Sequence, residues 1–230
     1  MSYRPCFADG TIDGIVVFPG ETPPPAMFTN HDDPHCPPGI PQNHLRVRQD
    51  SLGLQNALVI LESKEVREPQ AVPAQITFDH CMLIPRVQWL PSGASLRLLN
   101  KDTTAHRIQI QNNGFLWIDE VLPPGGLPLR RPLLHVGFNR VQCGRHLWER
   151  AWIYVSPHPY VAVTADGGHF QIAHVPAGRY DIRAWHEGWN DLGTDDAGRP
   201  RLQPMQDLRE STVKDDRTTT VRFDDLQPTF

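Results

Sequence analysis

The sequence has few cysteines, and no two of the four (Cys6, Cys36, Cys81 and Cys143) form a C-x-x-C pair. This excludes zinc-ribbon and thioredoxin-like arrangements, and their scatter excludes a disulfide-dense scaffold. No apolar run approaches the roughly 20 residues that cross a bilayer as a helix. Charge is nearly balanced, with 22 Lys plus Arg against 26 Asp plus Glu, a net −4. Without a basic run, neither nucleic acid nor an anionic membrane surface is expected as a partner. Ser-His-Asp spacing, a phosphate-cradling glycine loop and an H-E-x-x-H helix are also missing from the sequence. The first residues, M-S-Y-R-P-C-F-A-D-G, lack a charged start followed by an apolar stretch. Either a cytoplasmic protein or an exported one without its leader is therefore expected.

Proline is abundant instead. The 23 prolines in 230 residues are about twice ordinary usage and rule out a mostly helical chain. Alternating and β-branched residues predict strands at 11–18, 56–62, 75–79, 94–99, 105–111, 114–119, 134–142 and 151–155. Later strands are predicted at 161–165, 169–173, 180–185 and 218–223, with turns at A-D-G-G (165–168) and P-A-G (176–178). The prolines between 19 and 41 predict an extended, unpaired loop. Segment 202–213 reads as one or two helical turns. The expectation is an all-β protein built as two sandwich-like units.

The chemically richest stretch is V-Q-C-G-R-H-L-W-E-R at 141–150. Cys143, His146 and Glu149, each three residues apart, offer a thiolate, an imidazole and a carboxylate from one inter-strand loop. That donor set suits copper or zinc, and His106 in N-K-D-T-T-A-H supplies a second imidazole.

The run from Cys81 to His106, with its Pro, apolar strand, Gly and N-x-D-x-x-x-H, resembles the cupredoxin pattern. Cys143 and His146 are similar to that family's C-x-x-H loop, particularly in its plastocyanin-like "methylamine utilization protein" branch. The resemblance covers about residues 75–155 and implies one mononuclear copper held by His106, Cys143 and His146. Glu149 stands where the family has its weak axial methionine. A carboxylate there is hard and anionic, so as a ligand it would lower the reduction potential or favour zinc. The alternative is a surface ion pair of Glu149 with Arg145 or Arg150.

The stretch A-V-T-A-D-G-G-H-F-Q-I-A-H-V-P-A-G-R-Y-D-I resembles the carboxypeptidase regulatory-like domain through Thr164, Gly168, Phe170, Ile172, Val175, Pro176, Gly178, Tyr180 and Ile182. That resemblance implies a small sandwich without catalytic residues, whose opening strands would be Gly14–Phe18 and Ala57–Leu61. A cupredoxin-like Greek-key sandwich (67–156) is therefore expected to be inserted between the first part of the host sandwich (1–66) and its remainder (157–230). In the resembling branch the positions of Cys36 and Cys81 often hold cysteines, which implies a bridge and an oxidising compartment. Two free thiols are the alternative, and Cys6 is left unpaired.

Other residues receive plainer expectations. His31 and His35 beside Asp32 and Asp33 read as a solvated acidic turn rather than a second metal site. Strand alternation puts His80 and Cys81, the latter opening a strand, on opposite faces. Arg86 stands where the branch commonly has His; His158 and His186 are structural. Leu147, Trp148 and Trp152 would shield the metal edge, as a docking patch or as inter-unit packing.

The function implied is an exported or periplasmic copper protein that exchanges electrons with a redox partner protein. The rivals are a metal-free or zinc-stabilised module for protein or glycan contacts, and a copper enzyme with an open coordination position.

Overall fold

The computed structural model describes residues 9–22, 27–30, 33–42, 45–63, 73–196 and 198–229. Within them all regular structure is strand. Four main sheets form two pairs. In the first pair, Gly10–Val16 lies between His169–Val175 and Thr218–Phe223, antiparallel to one and parallel to the other. It faces the sheet Val161–Val163, Leu58–Leu61, Gly178–His186, Met205–Val213 and Gln227–Pro228. Ile12, Val59, Leu61, Tyr160, Phe170, Ile182, Ala184 and Phe223 fill the space between them. The alternation predicted from sequence is what makes this possible, since one side of each strand carries the apolar set.

The second pair lies wholly within Gln75–Ser156, whose strands pair only with one another. One sheet runs Phe115–Leu122, His106–Asn112, Gly137–Cys143, Arg150–Ser156 and Val87–Pro91. The other runs Leu129–Pro132, Ser95–Asn100, Gln75–Asp79 and Met82–Ile84. Ile76, Phe78, Leu96, Leu98, Ile108, Ile110, Val141 and Ile153 form its core. The strands on either side of this stretch, Leu58–Leu61 before and Gly178–His186 after, pair antiparallel.

A third apolar cluster joins the two pairs: Leu58, Ile60, Val161 and Trp185 from the first meet Val87, Phe138, Trp152 and Tyr154 from the second. Trp152 thus serves packing between the units, with its ring 5.1 Å from that of Trp185. Arg86 and Arg150 both reach the buried Glu187 at this junction.

Three local expectations are corrected. Segment 202–213 contains the strand Met205–Val213, flanked on both sides by partners. The proline-rich stretch is not unpaired, because Met27–Thr29 pairs with Gly39–Pro41. His80 and Cys81 are the two φ-positive residues of the tight turn between Gln75–Asp79 and Met82–Ile84, so strand alternation does not apply to them. At the A-D-G-G turn, by contrast, the glycine is required as expected. Gly168 has φ +78°, and a Cβ there would sit 2.3 Å from the Val16 carbonyl oxygen.

Candidate metal centre

Register places the first donors. In the central ladder Cys143 pairs with Ile108. His106 lies two residues from Ile108, hence on the same inward face and one step nearer the strand end. The chain then leaves the sheet at Gly144, whose amide donates to the Arg107 carbonyl (2.7 Å), and turns back to Glu149. The amide of Glu149 donates to the carbonyl of His146 (3.2 Å), and that of Cys143 to the carbonyl of Glu149 (3.0 Å). The loop is closed at its base, so its three side chains project together under the sheet edge.

Their donor atoms converge with His106. The two Nδ1 atoms are 3.1 Å apart, and Glu149 Oε2 lies 2.9 Å from His106 Nδ1 and 3.2 Å from His146 Nδ1. Cys143 Sγ is 4.0 and 3.7 Å from the same two nitrogens. Relative exposures are 0% for His106 and Cys143, 3% for His146 and 1% for Glu149. Glu149 is therefore no surface ion-pair partner of Arg145 or Arg150, the alternative its neighbours offered.

Each imidazole is held from behind by a carboxylate. His106 Nε2 is 3.0 Å from Asp102 Oδ2, and His146 Nε2 is 3.0 Å from Asp33 Oδ2. Asp102 is fixed by its own turn: Asn100 Oδ1 accepts from the Asp102 amide, and Asn100 Nδ2 donates to the carbonyls of Thr104 and Leu122. The Asn and the Asp of N-x-D-x-x-x-H thus shape the turn and orient the His. Asp33 accepts from the Thr104 hydroxyl at 2.8 Å and from the His35 amide at 2.9 Å.

Asp33 is only 4% exposed, which overturns the expectation of a solvated acidic turn, although the His35 ring beside it is 55% exposed. His31, Asp32 and Cys6 lie outside the described residues. Asn30 braces the segment, donating to the carbonyls of Asp33 and Cys36. A disulfide between Cys36 and Cys81 then pins it to the second unit. Phe28, Ile40, Met82 and Trp148 pack around that bridge, and the Trp148 ring lies 5.1 Å from that of His146.

The electrostatics follow from this enclosure. Burial alone would push both imidazoles down, but hydrogen bonds and charge from Cys143 and Glu149 outweigh it, raising His106 to about 9 and His146 to about 10. Burial pushes the Cys143 thiol and the Glu149 carboxyl up, and the two imidazoles reverse both, holding each below its ordinary value. Burial also raises Asp33, yet the His35 amide, Thr104 and His146 hold it well below the usual carboxylate range. Each of the four groups is thus shifted toward its charged form by the other members of the cluster.

Two features of this cluster fit a metal ion. Glu149 Oε1 is buried with no hydrogen-bond partner, and the two Nδ1 atoms face each other across 3.1 Å while both Nε2 atoms lie against carboxylates. Metal–nitrogen and metal–sulfur lengths of about 2.0 and 2.3 Å give tetrahedral edges of about 3.3 Å for N–N and N–O and about 3.5 Å for N–S. The five donor–donor distances above agree within about half an ångström. Carboxylates behind both histidines are the usual partners of ligating imidazoles. Asp33, Cys36 and His146 form a second close group, but the Cys36 sulfur is committed to the disulfide.

No protein-family model matches the chain, and no curated protein matches it. Solved structures do. A purple cupredoxin from Nitrosopumilus maritimus matches at 23% identity over 36% of this chain and 99% of its own, with a TM-score of 0.32. Amicyanin from Paracoccus versutus matches at 12% identity over 43% of this chain and 97% of its own, with a TM-score of 0.33. A copper-containing nitrite reductase from Thermus scotoductus matches at 15% identity over 42% of this chain, which spans 25% of the reductase, with a TM-score of 0.34.

Proposed function

We propose that residues 75–156 form a cupredoxin-like unit that holds one copper ion through His106, Cys143, His146 and Glu149, for electron exchange with a redox partner protein. The unit would be nested in a regulatory-like sandwich built from the flanking segments. The observation that carries this reading is the convergence of two imidazoles, a thiolate and a carboxylate, all buried, with both imidazoles backed by carboxylates. The copper, when bound, would supply one-electron chemistry. The protein's part is to keep the donors in one arrangement for both oxidation states, which the closed Cys143–Glu149 loop and the Asp33 and Asp102 braces favour. Burial of all four side chains excludes water. The Cys36–Cys81 bridge supports an oxidising compartment, periplasmic or extracellular.

A second reading, a structural zinc site, is favoured by Glu149, since a closed tetrahedral set with a hard carboxylate suits that ion. Addition of Cu(II) to the metal-free protein separates them. One equivalent is expected to give intense visible absorption that is absent in Cys143→Ser, followed by a reversible one-electron wave. A colourless protein that takes up zinc and excludes copper would overturn the proposal.

A further inference from the structure

A cluster of arginines lies on the far side of the Cys143–Glu149 loop. Arg140 and Arg150, on neighbouring strands of the central sheet, face Arg199 and Arg201 from the segment that packs over it. The space they enclose, about 160 Å³, is also lined by Leu147 of the metal loop and by Glu187. This is well below the roughly 300 Å³ at which pockets for drug-sized molecules begin. Its occupant is therefore a small one.

The cations here outnumber their partners. Arg86, Arg140, Arg150, Arg199 and Arg201 are met by Glu187, Asp191 and Asp195. Five charges against three is a local excess in a chain whose net charge is −4. The contacts show the same shortage. Glu187 is the ion-pair partner of both Arg86 and Arg150, and Arg150 Nη1 donates to the Pro200 carbonyl at 2.9 Å. Arg199 has an aspartate only at 3.8 Å and donates through Nη2 to Gln109 Oε1 at 3.4 Å, while its buried Nε has no hydrogen-bond partner. Among the described residues neither Arg140 nor Arg201 forms an ion pair. A buried donor without an acceptor and guanidiniums crowded on one another are costly unless a further anion is present.

We infer that the cavity between Arg140, Arg150, Arg199 and Arg201 is a binding site for a free tetrahedral oxyanion of phosphate or sulfate size. Guanidinium forks match the oxygens of such an ion in pairs, whereas chloride uses no fork geometry and acetate offers only one oxygen pair. Because Leu147 forms part of the wall and Arg150 directly follows Glu149, the anion would sit against the back of the metal loop.

Calorimetric titration of the full chain with inorganic phosphate, at constant ionic strength and with and without copper, tests this. Saturable one-to-one binding is expected in both forms, at least about tenfold weaker in Arg199→Gln/Arg201→Gln, with sulfate competing and acetate not. Arg201 is exposed, so Arg201→Gln alone preserves the fold and is expected to weaken binding about threefold if the double variant does not fold. Absence of saturable binding, unchanged affinity in a folded variant, or equal displacement by chloride or acetate would overturn the inference. Because phosphate binding is read in the metal-free protein, failure of the copper reading would show separately, as absence of metal uptake.

Discussion

Replacing Asp33 with Asn tests whether the carboxylate behind His146 acts on the metal centre electrostatically. Asn keeps a side-chain acceptor for His146 Nε2 and removes one negative charge. With a metal–nitrogen bond of about 2 Å, the imidazole width and the 3.0 Å contact beyond it, Asp33 Oδ2 would lie about 7 Å from an ion held by His146 Nδ1. With copper there, as proposed, oxidation from Cu(I) to Cu(II) would add one unit of charge. At an effective dielectric of about 20 the attraction is about 2.4 kcal/mol, equivalent to about 100 mV. The exposed Arg145, whose Nη2 is 3.7 Å from the same oxygen, offsets part of it; doubling the effective dielectric to about 40 to include that screening halves the figure to about 50 mV. The sign is fixed by the charge: Asp33 favours the oxidised ion, so Asp33→Asn should raise the reduction potential by about 50–100 mV. Cyclic voltammetry of the copper-loaded proteins at equal pH and ionic strength reads the shift, and Asp33→Glu should restore most of it. A potential that is unchanged or lower in Asp33→Asn, with the visible spectrum retained, would refute the reasoning.

Two further perturbations bear on the frame around the site. The Cys36–Cys81 bridge closes a span of 45 residues, for which chain entropy predicts about 4 kcal/mol; Cys36→Ser/Cys81→Ser should lose about 2–4 kcal/mol in urea unfolding, and a loss under about 1 kcal/mol would contradict that role. Burial pushes His158 below its ordinary 6.5, with only Glu62 and its own backbone opposing. Below about pH 6.5 the unfolded chain therefore binds more protons at this position, and stability falls as the pH drops. His158→Gln should flatten that acid slope between about pH 7 and 5, and parallel slopes in the two proteins would exclude His158 as a contributor.

Much of the candidate site's convergence was legible because it is local. Cys143, His146 and Glu149 lie on one closed loop, and the alternation of His106–Asn112 fixes which face His106 takes. Asp33 was not legible: its partner is 113 residues away, and the polar run H-D-D-P-H reads as surface until a distant hydroxyl and imidazole are brought to it. The arginine cavity was hidden for the same reason, since Arg140, Arg150 and the R-P-R run at 199–201 meet only in the fold. Residues 205–213 misled through composition, because Met, Gln, Leu, Arg and Glu favour helices on their own. Pairing along nine residues with Gly178–His186 overrides that preference. At His80 and Cys81 the period-two rule failed because a turn, not a strand, occupies the position.

The segment Met27–Pro41 belongs in sequence to the first sandwich, yet it supplies the carboxylate that braces a histidine of the second. A polypeptide cut to 75–156 would keep every proposed ligand and lose that brace, together with the cystine partner of Cys81. The centre is in this sense shared property: grafting the smaller sandwich onto another carrier would transplant the donors but leave His146 uncovered, so the two units are expected to travel as one.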